Sequence, residues 1–565
     1  MDRLNKIERW KAECSPADFL AKIEEVDWRA PSEADRFYLK NYGIYNIKLR
    51  PERWMLRLRV DGGRIEAGRL RSVGEISRRE RLRPLLTARG QIELHDIAPE
   101  RILPLWRECH KLGLVSWQTL TDNFRALVTD PLADCAPDAL VDTFPLLELI
   151  RERFLARPEW LGTLPRKFNT ALVGRQTPSF NPWGNDLLFA PAEKEGRIGF
   201  KLYLGGKNNE TARESGIFSP PEEVPSLFEA VATAYRAHGP RGSRSKTRLF
   251  HLIESAGMDR LRGWIAEAYG REPETGGRLL MRSSVHNRDR LLPIRRFGHY
   301  GEIASETLLE AADEAQSRSW QLRLTPHQEL WAFDPKTLRD SKSQAYDKQS
   351  SPSSILHPLS VPSGSVTACA GLRYCPLSLW DIKKDLDLLP LERMRTLGVS
   401  LGFSGCLKGC GRHVHSDLGL IGLRTNLYAE TERAARVYLG ALQAPDPAPA
   451  RLLYYSVPLR SLDDLLRVIL DDFEASGLES FESFSRNVLA RYSIEFLQLW
   501  YLLRQLYPLG PESKRRFFAG EEAGLLEEFR TLEAYPGTDE LYEIVRRLSH
   551  RLWDLSAETS PPHPE

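Results

Sequence analysis

The sequence predicts an α+β fold built as a pseudo-twofold duplication. Two ferredoxin-like half domains are each followed by a larger α/β domain, with extra helices at the C-terminus. Three observations predict this. A strand–turn–helix–strand pattern beginning at Trp54 recurs beginning at Gly301. A longer stretch of mixed strand and helix character follows each copy. From Leu459 onward, apolar residues recur at helical spacing instead. Self-similarity within one chain is the mark of a duplicated structural unit.

The elements follow in order. Residues 1–35 read as an amphipathic helical lead-in. Trp54-Met-Leu-Arg-Leu-Arg-Val alternates apolar and polar residues, a strand pattern, and Asp61-Gly-Gly closes it. A helix follows over Leu70 to Arg79, then a strand over Leu85-Leu-Thr-Ala-Arg-Gly-Gln-Ile-Glu-Leu. The second copy runs from Gly301-Glu-Ile-Ala through a helix over Thr307–Ala315 to a strand over Leu322-Arg-Leu-Thr-Pro-His-Gln-Glu-Leu-Trp. Leu86-Thr87 and Leu324-Thr325 align. This gives a lead-in (1–35), a first ferredoxin-like half (36–112), a first large domain (113–280), a second ferredoxin-like half (281–352), a second large domain (353–505) and a C-terminal helical extension (506–565). Leu462-Asp-Asp-Leu-Leu-Arg-Val-Ile-Leu puts its apolar residues on one helix face, and the terminal Ser-Pro-Pro-His-Pro-Glu is expected to be disordered.

The totals exclude several classes. No apolar run approaches the roughly 20 residues a membrane helix needs, so no membrane partner is expected. The N-terminus is charged from its second residue, unlike a signal peptide, which places the protein in the cytoplasm. A formal net charge of +2 gives no reason to expect nucleic acid. Seven cysteines in 565 residues are no disulfide scaffold. Cys14, Cys109 and Cys135 stand alone and read as small buried hydrophobes.

The other four form two tight pairs. Cys369 and Cys375 lie in Thr-Ala-Cys-Ala-Gly-Leu-Arg-Tyr-Cys-Pro-Leu, and Cys406 and Cys410 in Ser-Gly-Cys-Leu-Lys-Gly-Cys-Gly-Arg. Four thiolates on two loops are a natural ligand set for one iron–sulfur cluster. A helical turn would put Cys406 and Cys410 on one face. Gly405, Gly409 and Gly411 would let backbone approach a cofactor and aim N–H groups at sulfur. Two other readings stand beside this one. The cysteines could be core residues, or they could bind zinc with His413 and His415, although C-x5-C is wide for zinc.

The arrangement C-x5-C and C-x3-C, with Thr-Ala-Cys before it and Asp417-Leu-Gly-Leu-Ile-Gly after it, resembles the siroheme-dependent nitrite and sulfite reductases. The resemblance runs from about Trp54 to about Trp500. It implies a [4Fe–4S] cluster on Cys369, Cys375, Cys406 and Cys410, with Cys410 shared by the siroheme iron. The two large domains are then the siroheme and iron–sulfur domains. The family usually has Pro-Asn after the third cysteine, where this chain has Leu407-Lys408; Lys408 adds a positive charge beside the cofactors.

A small oxyanion and the eight carboxylates of siroheme both call for cations. Three further segments match the family. In Leu86-Thr-Ala-Arg-Gly-Gln the substrate arginine falls on Arg89, with Gly90 interposed before Gln91. In Asp122-Asn-Phe-Arg-Ala the second arginine falls on Arg125, with Ala126 in place of Asn. In Leu164-Pro-Arg-Lys-Phe-Asn the two matching positions fall on Lys167 and Asn169, which share a strand face. His95 reads as structural. Sulfite reductases typically carry Lys at both positions, and nitrite reductases of the plant and cyanobacterial type carry Asn at the second. Nitrite, a monoanion, needs less positive charge than sulfite. The resemblance therefore implies six-electron reduction of nitrite to ammonium. Reduction of sulfite to sulfide is the alternative, and a non-catalytic zinc-binding or redox-sensing protein is the alternative of another class.

No G-x-G-x-x-G follows a predicted strand, so no flavin or nicotinamide domain is expected. The resemblance implies reduced ferredoxin, or a similar small acidic donor, as the electron source. Arg241-Gly-Ser-Arg-Ser-Lys-Thr-Arg and the run from Arg288 to Arg296 are candidate docking patches.

Overall fold

The computed structural model describes residues 4–47, 50–155, 157–283, 294–340, 366–425, 431–506 and 509–531. They divide into two compact units, one within the first 362 residues and one from 366 on.

The first unit begins with the lead-in. Helix Lys6–Glu13 is capped by the Asn5 side chain, and helix Glu33–Leu39 by a reciprocal Ser32–Asp35 capping box. The two ferredoxin-like halves follow the repeat. The first half is an antiparallel sheet ordered Ile44–Asn46, Trp54–Leu58, Ile92–Ile97, Arg83–Leu86, backed by helices Ala67–Arg79 and Pro99–Lys111. The second half is ordered Arg295–Phe297, Leu330–Phe333, Gln321–Leu324 and backed by helix Ser305–Arg318. One apolar core serves both, from Leu56, Leu94 and Val73 to Leu308, Leu322 and Leu330.

The segment expected as one strand in each copy is a hairpin instead. Thr87 Oγ1 accepts the N–H groups of Arg89 (3.3 Å) and Gln91 (3.1 Å), and the Gly90 N–H closes on the Thr87 carbonyl. Thr325 does the same for Glu329 and Gln328. Gly90 (φ +63°) and Gln328 (φ +64°) both turn left-handed at the tip. A threonine that satisfies the turn amides internally reverses the chain where alternation alone reads as continuous strand.

The halves also exchange backbone. Arg64–Ile65, just before the first helix, pairs with Leu322–Arg323 of the second sheet. Leu85 and Leu86, in the first sheet, meet Glu302 and Gly301, just before the second helix. A side chain at Gly63 would run into the Leu324 carbonyl, and one at Gly301 into the Leu86 carbonyl. The two close approaches are twofold counterparts.

The first large domain is a sheet ordered Phe124–Val128, Phe168–Leu172, Leu187–Lys194, Arg197–Leu204, Arg213–Ser219. Its first two pairings are parallel and its last two antiparallel. The second unit repeats this with Val366–Ala368, Leu401–Ser404, Leu418–Thr425, Glu432–Leu439 and Arg451–Pro458. In each, a long helix follows the last strand: Val224–His238 in one, Leu459–Ala475 in the other. The latter buries Leu462, Leu465, Leu466, Ile469 and Phe473, as its spacing predicts. Beyond it, helices Pro511–Ala519 and Glu522–Arg530 pack on helix Ile494–Leu506, with Phe517 stacked 4.3 Å from Trp500 and 5.0 Å from Tyr492. The remainder of the predicted tail lies outside the described residues. Among the described residues no helix is long and apolar enough to cross a membrane.

Candidate functional site

The cysteines lie where the parallel strands of the second unit end. Val366–Ala368 runs into Cys369, and Leu401–Ser404 runs through Gly405 into Cys406. Parallel neighbours end side by side, so the two loops emerge together. Cys369 is locked to this corner by its N–H, which donates to the Phe403 carbonyl (2.9 Å). The Cys369 sulfur accepts the N–H groups of Gly405 (3.1 Å) and Gly371 (3.3 Å). The Lys408 N–H faces the Cys406 sulfur. Each thiol is within electrostatic reach of another: Cys369 of Cys410, and Cys406 of both Cys410 and Cys375. Burial pushes the Cys369 thiol up to about 12 and raises that of Cys406; Cys410 adds to both shifts. Cys369, Cys375 and Cys406 are half-buried, while Cys410 is exposed.

Three details depart from the sequence expectation. Cys406 and Cys410 sit on a turn rather than a helix, closed by the Gly409 N–H on the Cys406 carbonyl (3.3 Å). Gly405 does aim its N–H at sulfur, but its smallness and that of Gly411 answer to protein crowding: a side chain would strike Ser378 or the Phe403 carbonyl. His413 faces away from a ligand role, with Nδ1 3.0 Å from Ser404 Oγ and its ring on Tyr438; burial depresses it to about 3. Among the described residues, no three His, Cys, Asp or Glu side chains are grouped as a single metal ion needs. Sulfur donors met by backbone N–H groups suit an iron–sulfur cluster, whose reduced charge such hydrogen bonds stabilise.

The cationic candidates lie in the first unit. Arg89, at the hairpin tip, donates to Asn185 Oδ1 (2.6 Å) and Asn208 Oδ1 (3.3 Å). Arg125, on strand Phe124–Val128, donates from Nε to the Thr119 carbonyl. These acceptors are neutral and orient the guanidinium groups by hydrogen bonds. The Arg125 carbonyl accepts from Gln91 Nε2 (3.1 Å) and from Nη2 of buried Arg59 (3.0 Å), which ties the Arg89 hairpin to the Arg125 strand. Lys167 is half-buried at the start of strand Phe168–Leu172. Asn169, two residues on, is buried; its N–H (2.8 Å) and its side-chain amide (3.2 Å) both donate to Asp186. Sequence reasoning missed Asn185, Asn208, Arg59 and Asp186, which do this orienting. The short Arg59-Val-Asp61 spacing was the one available signal, since Arg59 pairs with Asp61 at 2.8 Å.

The first docking patch is an internal network. Arg241 pairs with Glu8, Arg244 with buried Asp122 in two contacts (2.5 and 2.7 Å), and Arg248 with buried Asp186 in two contacts (2.7 and 2.8 Å). Burial would raise Asp122, but Lys11, Arg244 and Arg166 hold it well below the ordinary carboxylate range. Arginines spent on buried carboxylates are poor steering charges. Most of the second patch lies outside the described residues; Arg295 pairs with Glu310 (2.5 Å) and Glu314. His95 is structural, its Nε2 2.8 Å from buried Glu93. Cys109 and Cys135 are buried, and Cys14 is only half-buried.

The family described as "Nitrite/Sulfite reductase ferredoxin-like half domain" matches residues 47–112, and "Nitrite and sulphite reductase 4Fe-4S domain" matches residues 120–273. A ferredoxin–nitrite reductase of Leptolyngbya laminosa is 26% identical over 83% of this chain and 96% of its own length. A sulfite reductase [ferredoxin] of Mycolicibacterium paratuberculosis is 29% identical over 67% of this chain and 72% of its own. The solved structure of the Mycobacterium tuberculosis NirA protein shares the fold, with TM-score 0.73 and 23% identity over 87% of this chain and 97% of that one. The chain is similar to nitrite reductases and to sulfite reductases in sequence, and to the NirA protein in fold.

Proposed function

We propose that the chain is a ferredoxin-dependent nitrite reductase, taking nitrite to ammonium with six electrons. The observation that supports this reading is the corner carrying Cys369, Cys375, Cys406 and Cys410, three half-buried and one exposed, with backbone N–H groups aimed at the Cys369 sulfur. Cys369, Cys375, Cys406 and Cys410 would hold a [4Fe–4S] cluster, and the exposed Cys410 would be the thiolate shared with siroheme. When bound, that pair supplies the electron path and the metal that receives the substrate. Arg89, Arg125 and Lys167 would neutralise the anion's oxygens and hand over protons as water leaves. With Lys408 they would also counter the siroheme carboxylates. Asn169, set by Asp186, contributes a neutral amide where a second Lys would add charge.

Nitrite is favoured because the ferredoxin–nitrite reductase of Leptolyngbya laminosa aligns over 83% of this chain, against 67% for the sulfite reductase. The higher identity of the latter, 29% against 26%, keeps sulfite as the second reading. The test is methyl-viologen-driven formation of ammonium and sulfide, assayed side by side on reconstituted enzyme. A kcat/KM for sulfite at or above that for nitrite overturns the substrate assignment. A reconstituted protein without siroheme's visible bands points instead to the non-catalytic thiol–metal reading.

A further inference from the structure

Lys383 is 4% exposed, on the short helix Ile382–Asp385. Its Nζ donates to the carbonyl of Ala368 at 3.1 Å, one residue before Cys369. Asp385, at the end of that helix, meets Arg433 (2.7 Å), and Asp381, its N-cap residue, meets Arg373 (3.0 Å).

The first unit shows what this position does when no thiols are present. Strand register fixes the correspondence: Leu127 pairs with Thr170 as Val366 pairs with Leu401, so Thr129 corresponds to Ala368 and Asp130 to Cys369. Thr129 meets the neutral Thr143 across the corner (2.6 Å), where Ala368 meets Lys383. Asp130 is matched instead by Arg175 (3.1 Å). Each corner thus holds one buried cation, on the carboxylate itself in the first unit and on the carbonyl before Cys369 in the second, delivered from a different element.

We infer that Lys383 is the buried counter-cation of the four-thiolate corner and raises the reduction potential of the cluster it carries. The inference rests on the cluster assignment above. A buried ammonium costs several kcal/mol to desolvate and persists where it faces negative charge. A cluster's potential follows the net charge around it. Lys383 is a positioning residue and touches no substrate.

The experiment is an EPR-monitored redox titration of the reconstituted holoenzyme and of its K383M, K383Q and K383R variants, with iron content measured on each. K383M and K383Q should shift the cluster midpoint to more negative potential, and K383R should stay nearer to the parent. Loss of iron in Met and Gln but not in Arg also supports a charge requirement. An unchanged midpoint in K383M or K383Q overturns the inference, as does loss of iron in all three variants, which would mark a packing role. Parent protein that takes up no four-iron cluster overturns the cluster assignment instead, before Lys383 is in question.

Discussion

The first unit closes the corner beyond its parallel strands with an ion pair, and the second unit opens the matching corner to thiols. Asp130 and Arg175 meet there at 3.1 Å, both buried. Counting along the paired strands, their counterparts are Cys369 and Cys406. The backbone repeats in detail. The Leu132 N–H donates to the Asp130 carboxylate (2.9 Å), as the Gly371 N–H does to the Cys369 sulfur. At the other end of the strands, Asn169 binds Asp186 as Ser400 binds Asp417, and Gly205 and Gly440 each donate to the carbonyl of that aspartate. One backbone therefore offers the same N–H group twice at this corner, to a carboxylate in one unit and to a thiol in the other.

That comparison can be broken at either corner. Cys406→Ser should have the largest effect: iron content and activity fall to background, while the first unit keeps its stability. Arg175→Met should do the reverse, leaving iron content intact but stranding Asp130 and Asp138 without their cation. The loss should be about 3–5 kcal/mol of unfolding free energy by denaturant titration. If Arg175→Met also empties the iron, the corners are not independent and the comparison fails.

The ferredoxin-like halves sharpen it. The Arg57–Glu93 ion pair of the first half, where Glu93 also meets His95, corresponds to Arg296 over the Trp331 ring (4.8 Å) in the second. Burial would raise Glu93, yet Arg57 and His95 hold it down at about 2, against an ordinary 4.5. A depressed carboxylate stabilises fully above pH 4.5 and loses that contribution as pH falls toward 2. About 3 kcal/mol should disappear across that window, and Glu93→Gln should flatten the profile. The smallest effect belongs to Asn169→Ser. Because Ser400 already performs this clamp in the other unit, the change should cost no more than about 1 kcal/mol. A larger loss would show that the two strand starts are not equivalent.

The duplication was legible because apolar alternation and Leu86-Thr87 recur at Leu324-Thr325, and the two cysteine loops stood out because tight thiol pairs flanked by glycines are rare by chance. The hairpins were not legible: their signal is the Thr87 hydroxyl receiving two turn amides, which alternation cannot show. Nor was the destiny of the arginines. Arg89, Arg244 and Arg248 look alike in sequence. Two bond buried carboxylates and one bonds neutral amides, and only tertiary contact separates them. Lys383 carried no motif at all.

The reciprocal backbone exchange between the ferredoxin-like halves has the form of an isologous contact, in which each partner presents the same patch to the other. Arg64–Ile65 reaching Leu322–Arg323 and Glu302 reaching Leu85 would close a pair of identical chains as well as they close this single one. Linking such copies in tandem makes their association concentration-independent and lifts the demand for symmetry. One tip is then at liberty to keep an arginine, as at Arg89, while its sister becomes His327 and binds the Ser179 carbonyl (2.7 Å).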